Sequence, residues 1–186
     1  TAAYAAWISR KGQSVSKVII GRDGRISGNM ISNLVIQTLI ASGINVIDLG
    51  LSTTPTVEIA VPREKAAGGI IITASHNPRN WNALKLLNEK GEFLTAEEGI
   101  VILDIAQRSE YEYKEVDNLG TYKRNPNYIK IHIDKILALP LVDTEVIRNA
   151  KFRIIVDGIN STGGIAVPML LKELGYSYST GEKSRI

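Results

Sequence analysis

Five residues, Gly68-Gly69-Ile70-Ile71-Ile72, constrain the fold of this chain more than any other segment. They run directly into Thr73-Ala74-Ser75-His76-Asn77-Pro78. An unbroken β-branched run bounded by turn formers predicts a strand buried on both faces. Strands of that kind belong to parallel sheets that helices cover on both sides. In an open parallel sheet, ligands bind beyond the carboxyl ends of the strands. Ser75 is therefore expected at such an end, on a loop held by a rigid strand, with Lys85 ten positions later.

The flanking segments alternate between the two periods. Ala2 to Arg10 reads as a helix whose front is cut short, and Lys17 to Ile20 as a strand followed by the loop Gly21-Arg22-Asp23-Gly24-Arg25. Ile31, Leu34, Val35 and Thr38 form a helical stripe that closes near Gly43. Asn45 to Leu49 is the next strand. Thr54-Pro55 opens a helix that Pro62 ends or kinks. Ala83–Leu87 and Glu92–Leu94 flank a hairpin turn, and Thr95 with Glu98 forms a capping box for a helix to about Arg108. Ser109 to Asn118 reads as a polar surface loop. Ile129 to Leu137 fits either period, and its length and its Asn125-Pro126 start favour helix. Phe152 to Val156 reads as a strand and Gly163 to Leu174 as a helix.

This pattern predicts a layered α/β domain with a mostly parallel mixed sheet, followed by the start of a second α/β domain. The boundary is placed near Arg124, giving residues 1–124 and then 125–186 as a linker helix and the beginning of the second unit. A single βα unit cannot bury its own core.

Composition narrows the function. The 186 residues are 44% apolar and 22% charged, enough for a packed core. A net charge of +3 with no Lys/Arg run argues against nucleic acid. The absence of cysteine removes disulfides and thiolate metal sites. No segment is long enough to span a bilayer, and the N-terminal residues lack a signal-peptide pattern, so a soluble cytoplasmic protein is expected.

Three readings of Ser75 stay open on the residues alone. Phosphoryl chemistry would use Ser75 as carrier, with Lys85 and His76 offsetting the charge. A serine hydrolase is weaker, because the glycine-x-serine-x-glycine elbow is missing and sequence neighbours such as Ser75 and His76 rarely point at each other. A polar turn that reacts with nothing is the third. Arg22 and Arg25 could grip a phosphate together, but a turn in which Asp23 pairs with an arginine and holds a neighbouring loop is favoured. His132 is expected to pack at a helix edge and Trp81 to serve as a wall. Asp104 and Asp134 sit in helical segments, and Asp157 follows a strand in a stretch that reads equally well as a turn, so no metal site can be built from this chain alone.

The stretch Thr73-Ala74-Ser75-His76-Asn77-Pro78, with Trp81-Asn82-Ala83-Leu84-Lys85, resembles the active-site serine loop of the α-D-phosphohexomutases. That superfamily includes phosphoglucomutase/phosphomannomutase and phosphoglucosamine mutase. Gly21-Arg22-Asp23-Gly24-Arg25-Ile26-Ser27-Gly28 resembles the same family's glycine-arginine-aspartate loop. Val156-Asp157-Gly158, Asn160 and Gly163-Gly164 resemble the opening of its second domain.

The resemblance implies a four-domain intramolecular phosphotransferase that interconverts hexose 1-phosphate and 6-phosphate through a phosphoserine and a hexose 1,6-bisphosphate. Ser75 would be the phosphoserine, and an oxygen of its phosphate a ligand to Mg2+. Lys85 would stabilise charge or transfer a proton, and His76 would support the loop or the phosphoryl group. Arg22, Asp23, Arg25 and Asn77 would be loop supports. The partners implied are a hexose phosphate and the remaining domains of the same polypeptide. A sugar-phosphate-binding domain without catalysis is the alternative. This sequence departs from the family pattern at Ala83, where a glycine is common. Its 186 residues also do not include the family's aspartate-rich magnesium loop, sugar-selecting loop or phosphate-binding loop. As it stands, the chain is expected to be inactive as a mutase.

Overall fold

In the computed structural model, which describes residues 1–12 and 16–176, strands β1 (Lys17–Arg22), β2 (Asn45–Leu51) and β3 (Gly68–Ile72) run parallel at the centre of one sheet. β4 (Leu84–Leu87) joins antiparallel to β3, and β5 (Tyr122–Arg124) joins parallel to β2. The order is β4-β3-β1-β2-β5, the mostly parallel α/β architecture that the sequence predicts. Helices α1 (Ala2–Ser9), α2 (Gly28–Ala41) and α4 (Ala96–Gln107) cover one face, and α3 (Thr54–Arg63) and α5 (Tyr128–Leu137) cover the other.

Alternation along the strands explains the three layers. Val18, Ile20, Val46, Ile70 and Ile72 face α1, α2 and α4. Ile19, Ile47, Leu49 and Ile71 face Val57, Ala60 and Val61 of α3, together with Tyr128 of α5. Every residue of β3 is buried, as expected of a strand with helices on both sides.

The helix ends follow their capping chemistry. The cap of α3 is Thr53, one residue before the expected threonine, and its Oγ1 accepts from Thr56 N at 3.3 Å. α4 carries the expected capping box, with Glu98 N to Thr95 Oγ1 at 3.2 Å and Thr95 N to Glu98 Oε2 at 3.0 Å. Pro62 lies one residue before the end of α3. The Glu58 carbonyl that Pro62 cannot serve packs against Gly91, where a Cβ would lie 2.2 Å from that oxygen.

Three segments depart from expectation. β5 forms in a polar stretch with no strand pattern, entered where Thr121 N donates to Asn45 Oδ1 at 2.8 Å. Glu92–Leu94 is not a full strand, but it returns antiparallel beside β4 as the hairpin reading expects, through the Leu87–Phe93 bridge and hydrogen bonds from Asn88 N to Glu92 O and Leu94 N to Leu86 O. Phe152–Val156 forms no strand among the described residues. Its Ile155 takes part in a single bridge, and Phe152 and Ile155 are largely exposed. A strand needs a paired neighbour as well as apolar side chains. A short helix α6 (Thr144–Asn149) precedes that segment, and α7 (Gly163–Glu173) follows as expected. Among the described residues, no helix is long and apolar enough to cross a membrane.

Candidate active site

The carboxyl ends of β1, β2 and β3 place three loops side by side: Asp23–Arg25, Ser52–Thr54 and Thr73–Asn77. The loop that precedes α7 faces them, and Gly24 N donates to Ser161 Oγ at 3.1 Å. Between the loops lies a cavity of about 530 Å³, lined among others by Asp23, Thr53, Ser75, His76, Asp157 and Ser161. A second of the same volume adjoins it around Arg25, Asn77 and Arg79, and shares Ser75 and His76.

Ser75 is exposed and has φ +52°, a left-handed conformation that costs a non-glycine residue about 1–2 kcal/mol. Hydrogen bonds on both sides of the residue hold it there. Ser75 N donates to Thr73 Oγ1 at 3.1 Å, and Arg25 Nη2 donates to Ser75 O at 2.9 Å. The residue lines both cavities. Ser75 Oγ lies 3.5 Å from His76 Nδ1, so these sequence neighbours do approach each other, at the outer limit of a hydrogen bond.

Arg25 grips the serine loop rather than a ligand. Its guanidinium donates to the carbonyls of Ser75, Asn77, Pro78 and Trp81 at 2.7–2.9 Å. Asp23 completes the clamp. Its Oδ2 accepts from Thr73 Oγ1 at 2.7 Å and lies 3.4 Å from Arg25 Nε, while its Oδ1 accepts from Arg25 N at 3.0 Å. Asn77 turns the loop through its backbone, N donating to Ala74 O at 2.9 Å. Arg22 does not join Arg25. It lines a different cavity, and among the described residues its side chain donates only to Asp23 O, at 3.2 Å.

Lys85 stands on β4 opposite Ile71 and is not among the residues lining either cavity. Its Nζ is 5.7 Å from the Phe93 ring centroid, and among the described residues it has no hydrogen bond or ion pair. It faces Glu58, whose carboxyl is pushed above its ordinary range by burial, with the Lys85 charge opposing the shift. Trp81, expected as a wall, is 59% exposed, and its carbonyl rather than its ring is engaged. His132 packs at the edge of α5 as expected and also bonds Thr56 Oγ1 at 3.0 Å. Thr56 Oγ1 is in turn 2.7 Å from Thr53 Oγ1. Burial, then the Lys135 charge, lowers the His132 pKa.

Sequence reasoning gave no place at the site to Thr73, Ser52–Thr54 or Ser161. The first two sit just past the ends of β3 and β2, so strand ends brought together by sheet order were the usable signal. Ser161 had no such signal, because its partner Gly24 is 137 residues away.

The described residues do not build a magnesium site. They hold no group of three metal-ligating side chains. The two cavity carboxylates are already engaged, Asp23 as above and Asp157 by accepting from Ile159 N at 2.9 Å.

Fold and site define an α/β/α domain that presents a clamped serine at the carboxyl end of its central strands. Residues 1–112 match the family "Phosphoglucomutase/phosphomannomutase, alpha/beta/alpha domain I", and the chain belongs to that family. It is 33% identical over 173 residues to a phosphoglucomutase/phosphomannomutase of Thermococcus kodakarensis, covering 93% of this chain and 37% of that protein. It is 32% identical over 161 residues to a phosphoglucosamine/phosphogalactosamine mutase of Sulfurisphaera tokodaii, covering 86% of this chain and 35% of the relative. A solved phosphoglucomutase/phosphomannomutase family structure from Burkholderia thailandensis shares the fold with a TM-score of 0.72 at 21% identity, over 96% of this chain and 38% of that one. The chain thus spans little more than a third of the relatives it matches.

Proposed function

We propose that this chain supplies the phosphoserine part of a phosphohexomutase, an enzyme that interconverts hexose 1-phosphate and 6-phosphate through a hexose 1,6-bisphosphate. In the forward step a sugar hydroxyl oxygen attacks the phosphorus on Ser75, the P–Oγ bond breaks, and the hydroxyl proton passes to the departing Ser75 oxygen. After the bisphosphate turns over, Ser75 Oγ attacks its other phosphate, loses its proton, and the sugar oxygen leaves with one. Family membership supports the reaction class. The carrying observation for Ser75 is its place beyond β3, with its backbone clamped and the residue lining the cavity. Arg25 and Asp23 keep the loop in position, which is worth most when the reacting atoms must be aligned. Lys85, on the adjacent strand and without a hydrogen bond or ion pair among the described residues, is the cation that would offset transferring charge once its side chain swings from Glu58 toward the serine loop, and His76 supports the loop beside Ser75. The relatives imply a hexose phosphate as substrate. The family resemblance implies Mg2+ as counter-charge, with ligands beyond Ser75's phosphate supplied from outside the described residues. Residues 1–124 form the serine-bearing domain in this reading, α5 is a linker that packs on α3, and the second domain begins after it.

Peptide mass spectrometry tests the reading. After incubation with a hexose 1,6-bisphosphate, phosphate is expected on Ser75, and excess hexose monophosphate is expected to remove it. Ser75→Ala is expected to carry none. A folded chain whose Ser75 never takes phosphate would favour the binding-domain reading.

A further inference from the structure

A cavity of about 300 Å³ lies apart from the serine, where the ends of β1, β2 and β5 meet α7. Its charged lining consists of Arg22, Arg124 and Lys130, with apolar walls that include Leu51, Ile165 and Met169. Among the described residues, no carboxylate lines it.

The charge balance there is incomplete. Lys130 is paired with Asp134 and lies 3.9 Å from Glu173, so it brings little free charge. Arg22 has no ion pair among the described residues, although Asp23 is adjacent, because the Asp23 oxygens are taken by Thr73 and Arg25. Of Arg22's five guanidinium donor hydrogens, the described contacts engage one nitrogen, with a backbone carbonyl. Arg124 has neither hydrogen bond nor ion pair among the described residues, and its Nη2 lies over Gly50, where a Cβ would be 3.8 Å away. Asp48, on β2 opposite Arg124, accepts from Gly50 N at 2.8 Å and from Tyr122 OH at 2.9 Å.

Local backbone geometry opens the cavity. The β1–β2 register shifts between Ile20 and Arg22, and Gly50 takes φ +67° opposite that shift. A bulge of this kind re-aims neighbouring side chains. The first turn of α5 borders the same space and adds the partial positive charge of a helix start.

We propose that this cavity is a second anion site, distinct from the serine cleft, that takes a small phosphate-bearing ligand between Arg22 and Arg124. Two guanidiniums without a carboxylate partner among the described residues suit planar, bidentate contact with a phosphate. The apolar walls accept a short carbon skeleton attached to it. A bound ligand tethers α7 to the sheet end and fixes Arg22 beside the Asp23 clamp.

The test is a titration of the isotope-labelled chain with inorganic phosphate and, separately, phenyl phosphate, read by amide NMR shifts. Saturable shifts at Gly50, Leu51 and Asn127 are expected. Arg124→Gln is expected to weaken them at least tenfold, whereas Lys123→Gln, which removes the same charge one residue outside the cavity, leaves them unchanged. Tighter binding of phenyl phosphate identifies an ester as the ligand, and equal binding identifies free phosphate. Shifts confined to Gly24 and Ser75–Asn77, or equal responses in wild type and Arg124→Gln, would overturn the site. The wild-type map decides the location even if a variant folds poorly. Ser75→Ala is expected to keep the site, which separates its failure from failure of the mutase reading.

Discussion

At the scale of single residues, Arg25 does what no neighbour in sequence could reveal. It holds carbonyls 50 to 56 residues away, with its side chain only 12% exposed. Five donors in a rigid fork can serve four acceptors at once, which a lysine cannot. Arg25→Ala is expected to lower stability by about 1–3 kcal/mol, and Ser75 phosphorylation by the bisphosphate about a hundredfold, since small misplacements near a reacting group are that costly. Arg25→Lys should recover stability better than rate. Urea midpoints and phosphorylation time courses measure the two, and an unchanged rate in Arg25→Ala would show that the clamp does not set the geometry. Ser75, His76 and Asn77 were legible because their side chains carry chemistry in an unusual order after an apolar run. The Arg25 clamp was legible only as the idea of a turn holding a loop. Its acceptors are backbone carbonyls, which every sequence has.

At the scale of elements, the legible parts were those whose burial shows as pattern: β1 to β3, and α4 with its capping box. β5 was not, because Tyr122–Arg124 is exposed and its existence follows from the open edge of β2. Phe152–Val156 had the pattern but has no neighbouring strand among the described residues. Packing between elements yields two expectations. The Tyr4 hydroxyl donates to Leu87 O at 2.6 Å, and a Cβ on Gly68 would sit 2.1 Å from that hydroxyl and 2.6 Å from Leu87 O. Gly68→Ala is expected to destabilise by about 1–3 kcal/mol through overpacking. Adding Tyr4→Phe should make the double variant less destabilised than the sum of the singles, as read by denaturation midpoints. The second concerns α5 on α3. Burial and Lys135 hold His132 below its ordinary value of 6.5, so the folded chain binds fewer protons than the unfolded one just below that value. Stability therefore rises with pH through this window and is lost on acidification. His132→Gln is expected to flatten that part of the curve in urea titrations from about pH 5 to 7.

At the scale of the whole molecule, the serine cleft is assembled by loops far apart in the chain, and its charges decide what it can do alone. The serine loop was readable in sequence, but the facing loop at Ser161 was not, since contact through Gly24 depends on how the elements dock. A mutase must hold the phosphate at the far end of the sugar while Ser75 exchanges the near one, then bind the reoriented bisphosphate equally well. Within the described cleft Arg25 is spent on carbonyls and Lys85 does not line the cavities. His76 and Arg79 are the basic side chains at hand, and both belong to the serine's own loop. A cation set confined to one end can favour phosphoryl transfer to or from Ser75 but cannot anchor both orientations, because an unanchored phosphate keeps its water and its freedom. The purified 186-residue chain is therefore expected to take phosphate onto Ser75 and to release no isomerised hexose phosphate beyond a single equivalent. Product counted against chain concentration by coupled assay or phosphorus NMR measures this. Sustained production over many equivalents would mean that the described cleft holds both ends of the bisphosphate, and that the second anchor lies among residues already in view.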